Sequence, residues 1–298
     1  MADTYRMLIA QLCWEQLQDA ERAKEWMKKP LEHNRKHEGA HRLLADIHQA
    51  LGQFERAAQH LRVVAQVAGS GLDALEVERR LADLLLDELA QPESAASRYQ
   101  NVLEEAPGDD RALDGLKESR AAAGDWPGYM TCLGREIGLM VGRHDGLSID
   151  EMTDLTAADL PAEVVVPVSQ IVGEAAGVAR GQLDDPQLAW RLYGTAHDLW
   201  PDYVDALERR IELDRSLDKR RELAEDLESI AESLLDEGSR FGALLDATEA
   251  WEQLGETERA REVLERAIAA GEAANNEPIR LDEGRQKLDA LADQQEEP

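Results

Sequence analysis

Apolar residues recur along this chain at steps of three and four. Trp126, Tyr129, Leu133, Ile137 and Met140 mark one stripe. Leu223, Leu227, Ile230 and Leu234 mark a second, and Phe241, Leu244, Thr248 and Trp251 a third. That period places each set on one face of an amphipathic helix. Short breakers separate the stripes: Leu51-Gly52, Gln91-Pro92, Ala106-Pro107-Gly108, Ala123-Gly124-Asp125, Asp185-Pro186, Trp200-Pro201 and Leu254-Gly255. Connections this short oblige successive helices to run antiparallel, so the pattern predicts a series of helical hairpins.

The hairpins are related to one another. Pro92, Ala95, Tyr99 and Pro107 return at identical spacing as Pro186, Ala189, Tyr193 and Pro201. An ungapped comparison of 92–113 with 186–207 adds Ala112-Leu113 against Ala206-Leu207. A fixed small–aromatic–Pro spacing within one chain is the mark of a repeat architecture. Packing explains the residue set: Ala and Gly let helices approach closely, the aromatic fills the space beneath, and Pro ends the second helix.

With these residues the sequence resembles the tetratricopeptide repeat (TPR) family. Weaker units without the closing Pro are Gly52–Ala57–Leu61–Val64, with Leu44-Ala45 upstream, and Gly255–Ala260–Leu264–Ala267, with Ala247 and Trp251 upstream. Leu113, Leu116 and Gly124 open another, with Tyr129 where Ala is expected; 207–234 matches in periodicity alone, with Asp218 at its turn. The resemblance covers roughly residues 37–272 and implies an all-α, right-handed solenoid of about seven stacked antiparallel hairpins. The organisation expected is an atypical first hairpin over 1–36, TPR-like repeats over 37–142 and 171–272, and an irregular insert with a short helix over 143–170. A capping helix with a frayed tail follows over 273–298, with Leu281, Leu288 and Leu291 inward. Within the insert, Ser148 and Glu151 read as a capping box. Residues 157–167 read as a connector and 168–183 as the next helix, since Pro167 and the absence of a pairing partner argue against a strand at Val164–Val168.

Charge narrows the partners. The chain has 62 acids against 33 bases, a formal −29. Such a surface repels phosphate backbones and anionic membranes. No stretch is read as a membrane span, and none as a secretory signal. Residues 1–36, with six acids and seven bases, stand apart from this acidity. Cys13 and Cys132, far apart, suggest buried thiols in a reducing compartment, hence a cytoplasmic protein.

Candidate chemistry is sparse. His33, His37 and His41 are spaced i, i+4, i+8, with His48 following, but Gly39 and the inter-helix turn at His37 break the shared face that a metal would need. Asp109-Asp110, Asp184-Asp185 and Glu104-Glu105 sit at helix ends, where acids favour helix starts or water. Gly69-Ser70-Gly71 lacks the Lys of a phosphate loop. No catalytic, metal or cofactor residue is assigned, and no cofactor is expected. Trp126 and Trp251 read as core; Trp190 and Trp200 read as partly exposed and able to anchor a partner.

The resemblance further implies that the first helix of each hairpin lines a concave groove. On that frame the groove holds Asp46, Asp114, Glu118, Asp246 and Glu249, with Arg42 and Arg111 as minor exceptions. Family members that clamp a C-terminal carboxylate use Lys, Arg and Asn there, so this groove points to a basic protein or peptide. The expectation is a non-enzymatic interaction scaffold. The alternatives are a regulatory or recruiting segment of a larger enzyme or assembly, and a self-assembling structural protein.

Overall fold

The computed structural model describes residues 2–274, 281, 282 and 284–288. Among the described residues there is no strand, and seven antiparallel hairpins follow one another. They are α1 (Ala2–Glu15) with α2 (Ala20–His33), α3 (Glu38–Ala50) with α4 (Phe54–Val67), and α5 (Leu72–Asp83) with α6 (Pro92–Glu105). Next come α7 (Asp110–Ala123) with α8 (Trp126–Met140), and then the short α9 (Ile149–Thr153). The last three are α10 (Val165–Gly181) with α11 (Pro186–Leu199), α12 (Val204–Ser216) with α13 (Arg220–Ser233), and α14 (Glu237–Gln253) with α15 (Thr257–Ala273). A π-helical turn, Leu84–Glu88, extends α5.

The chain divides into two compact units, Met1–Cys132 and Leu133–Pro298, the division falling within α8. In each, hairpins pack on their sequence neighbours, as repeat units do. The first unit begins on a core of Ala10, Cys13, Ala23, Met27, Ala40, Leu43, Leu44 and Ile47. The second ends on one that joins α12 to α15 and includes Phe241, Trp251 and Leu281, with Leu288 packed against it. Leu291 and the tail from Gln294 to Pro298 lie outside the described residues. Both cysteines are buried and neither forms a disulfide.

Every hairpin turn holds one residue in the left-handed region. These are Gln18, Gly52, Ala90, Gly124, Asp184, Asp218 and Gly255, with φ between 49° and 75°. The reversal is closed by backbone bonds five or six residues back, such as Gln53 N–H to His48 O at 2.8 Å and Gln91 N–H to Leu85 O at 2.8 Å. This is the helix-ending geometry that glycine adopts at least cost. Three of the seven positions are glycine, so the fold imposes the conformation where sequence does not ease it.

The spacing motif lands as expected. Ala95, Tyr99, Ala189 and Tyr193 are buried, and Pro107 and Pro201 follow the ends of α6 and α11. The Ser148–Glu151 capping box opens α9. Three expectations need correction. The helix expected from residue 168 starts at Val165, because Pro167 falls in its first turn, where an N–H has no intrahelical partner anyway. That longer helix, with the turn before it (Ala162–Gly181), is long and apolar enough by length and composition to cross a membrane, which no stretch was expected to be. Its Val168, Ile171, Val172, Ala175, Ala176 and Ala179 are buried, and it packs along α11, so the apolarity has a use within the fold. Trp126, expected in the core, is half-buried and stands edge-on to Tyr129.

Candidate partner-binding face

Within each unit, ion pairs link the first helices of several neighbouring hairpins. In the first unit Arg80 of α5 reaches back to Asp46 of α3 at 2.6 Å and to Gln49 at 2.6 Å. Arg42 of α3 pairs with Asp73, and Arg79 of α5 with Asp109 at the N-cap of α7. Asp83 takes Arg111 of α7 at 2.5 Å and the phenol of Tyr99 at 2.6 Å. Burial, and then the bond to Asp83, push the Tyr99 phenol far above its ordinary range. In the second unit Arg180 of α10 meets Glu212 of α12 at 2.8 Å, and Arg215 meets Asp246 of α14 at 3.4 Å.

These links sort the expected groove acids. Asp46 and Asp246 are each neutralised by an arginine of the adjoining first helix. Asp114 and Glu118 are both exposed and lie four residues apart on α7, hence on one face. Glu249, also exposed, lines a shallow hollow of about 230 Å³ with Asp246, Arg215, Leu223, Leu227 and Gln253. Of the two minor basic exceptions, Arg42 pairs with Glu38 and Asp73, and Arg111 with Asp83.

The two tryptophans named as anchors differ. The Trp190 indole N–H donates to Asp214 at 2.6 Å, while Lys219 lies 3.7 Å and Arg210 4.8 Å from its ring. Held on three sides, it is a structural post rather than a free anchor. Trp200 ends α11, half-buried, with its ring 5.6 Å from that of Tyr203.

Two polar clusters escaped the sequence reading. Asp214 and Asp226 are buried together between α12 and α13, and Arg210 lies 3.1 Å from Asp226. Burial pushes both carboxyls up; Asp214 adds to the rise at Asp226, and Arg210 opposes it. Glu228, also buried, gathers the indole N–H of Trp251 at 2.8 Å and the guanidiniums of Arg259 at 2.9 Å and Arg266 at 2.5 Å. An acid on the inward side of a helix stripe is the signal that could have marked all three.

The histidines occupy unlike environments. His33 bonds Asp3 at 2.9 Å, and His37 caps α3 through Ala40 N–H. His41 Nε2 lies 3.0 Å from the Arg35 carbonyl and so carries the proton, leaving Nδ1 to accept from His60 Nδ1–H at 2.8 Å. His48 stacks on His60, ring centroids 5.4 Å apart, and bonds Gln53 at 2.7 Å.

No protein-family model matches the chain, and no curated protein matches it. Solved structures are similar in fold. The structure of Naa15/Naa10 bound to HypK-THB matches with a TM-score of 0.50 at 13% identity, covering 98% of this chain and 39% of that one. YrrB, a TPR protein with an unusual peptide-binding site, matches with a TM-score of 0.40 at 16% identity, over 68% of this chain and 89% of its own. The TPR2AB-domain:pHSP90 complex of yeast Sti1 matches with a TM-score of 0.40 at 15% identity, over 97% and 96%. Repeat spacing and left-handed hairpin turns make the architecture TPR-like, a series of antiparallel helical hairpins.

Proposed function

We propose that the chain is a non-enzymatic scaffold that holds a basic protein or peptide segment against its first-helix face. One observation carries the reading: Asp114 and Glu118 form an exposed acidic edge on α7 beside acids that are already paired. Paired acids hold neighbouring hairpins together, whereas these two are turned to solvent. Glu249 gives α14 of the second unit a comparable acidic position. With the chain at −29, long-range attraction raises the rate at which a basic segment arrives, and local pairing fixes where it stays.

The test is retention of lysine- and arginine-rich peptides on the immobilised full chain. Retention at low salt, lost near 1 M where the Debye length falls to about 3 Å, is expected. The double variant Asp114→Lys, Glu118→Lys should lose retention by about tenfold or more. Asp46→Lys should act chiefly through stability, since it sets two cations against each other at Arg80. Undiminished retention by the α7 double variant at low salt would overturn the reading.

A further inference from the structure

Among the described residues, five of the nine large apolar side chains that stand exposed lie in the first hairpin: Tyr5, Leu8 and Leu12 on α1, Leu17 after it, and Trp26 on α2. Tyr5, Leu8 and Leu12 are 65%, 53% and 49% exposed and follow one another by three and four positions, so they form one stripe. The opposite side of α1, with Ala10 and Cys13, is already buried in the core shared with α2 and α3. A helix apolar on two opposite sides is suited to being covered on both.

Charge decides what covers it. Residues 1–36 hold six acids and seven bases, a net +1, while the remainder of the chain carries −30. Two copies meeting at the first hairpin therefore bring little net charge together. The polar residues that flank the stripe are Thr4 and Gln11, with Glu15 at its C-terminal end.

We propose that the chain self-associates through α1, two copies pairing isologously with their α1 helices antiparallel about a two-fold axis between Leu8 and Ile9. Tyr5 then lies against Leu12 of the second copy, twice over. Glu15 falls beside the N-terminal end of the second copy's α1, where the helix dipole favours an acid. A self-complementary contact closes on itself, so the product is a dimer and not a filament. This surface is separate from the acidic edge of α7, and its test can fail without touching that reading.

Light scattering on the full chain across a wide concentration range should give the mass of a dimer. Leu8→Glu and Leu12→Glu should each give a monomer at the same concentrations with unchanged helical circular dichroism, since both side chains are exposed. Each substitution enters an isologous contact twice and should weaken it about 100-fold or more. A Leu8→Cys variant should cross-link copies through residue 8 on oxidation, the buried Cys13 and Cys132 being shielded. A wild-type monomer at every concentration overturns the proposal, even if its α1 captures some other protein. So does a dimer that both glutamates leave intact, or one that Leu8→Cys fails to cross-link.

Discussion

Gly115 of α7 lies beneath the ring of Tyr99 of α6, so close that a Cβ at residue 115 would stand 2.3 Å from the phenol carbon Cζ. The repeat's small–aromatic pairing is therefore a contact between hairpins as well as within one. Gly115→Ala should destabilise the first unit by about 1–3 kcal/mol through overpacking, read by chemical denaturation. Tyr99→Leu should relieve part of that cost in the double variant. Additive losses would show that the two residues do not press on each other.

Ala90 sits in a left-handed turn at φ 49°, where its Cβ is unwelcome. Ala90→Gly should stabilise the α5–α6 hairpin by about 0.5–1 kcal/mol despite loosening the unfolded chain. The converse change, Gly52→Ala at φ 68°, should cost about 1 kcal/mol. Melting both variants against the parent checks the pair, and a destabilised Ala90→Gly would refute the strain.

Burial, with His41 and His48 beside it, holds the His60 imidazole down to about 4. Burial likewise lowers His48, which faces Glu21 and Lys24 of α2 and Arg56 of α4. The unfolded chain binds a proton at the ordinary 6.5 that folded His60 refuses. Stability of the α3–α4 hairpin should therefore fall as pH drops from about 6.5 towards 4. Amide hydrogen exchange across residues 38–67 reads this, and His60→Leu should flatten the dependence. A hairpin equally protected at both pH values would contradict it.

Asp226 behaves with the opposite sign. Its folded affinity for a proton is raised, so acidification from neutral pH towards the ordinary carboxylate range favours the folded second unit. Asp226→Asn keeps the shape, needs no proton, and should raise stability at neutral pH by about 1 kcal/mol while flattening the dependence. The Trp190 indole N–H resonance, reporting on Asp214, gives a local readout. A large loss of stability in the variant would mean that the carboxylate is ionised and needed as such.

The hairpins and their closing prolines were legible because Ala95, Tyr99 and Pro107 do one packing job and recur unchanged as Ala189, Tyr193 and Pro201. Turns were readable at Gly52, Gly124 and Gly255, whereas Gln18 and Ala90 carry no local mark of the left-handed backbone they adopt. The start of α10 was misplaced because three consecutive valines speak for extended backbone until packing on α11 overrides them. Of the expected face, Asp114 and Glu118 stand open, but Asp46 and Asp246 do not. Their partners, Arg80 and Arg215, lie some thirty residues away, and that register exists only once the hairpins are stacked.

The charged rungs from Arg42 to Asp73, Asp46 to Arg80 and Asp83 to Arg111 carry positional information that alanine and leucine ridges cannot. Apolar surfaces so alike from block to block would accept a slip by a whole block during folding. Opposite signs placed at matching heights make only the consecutive neighbour fit. The molecule thereby writes the order of its own segments into its surface.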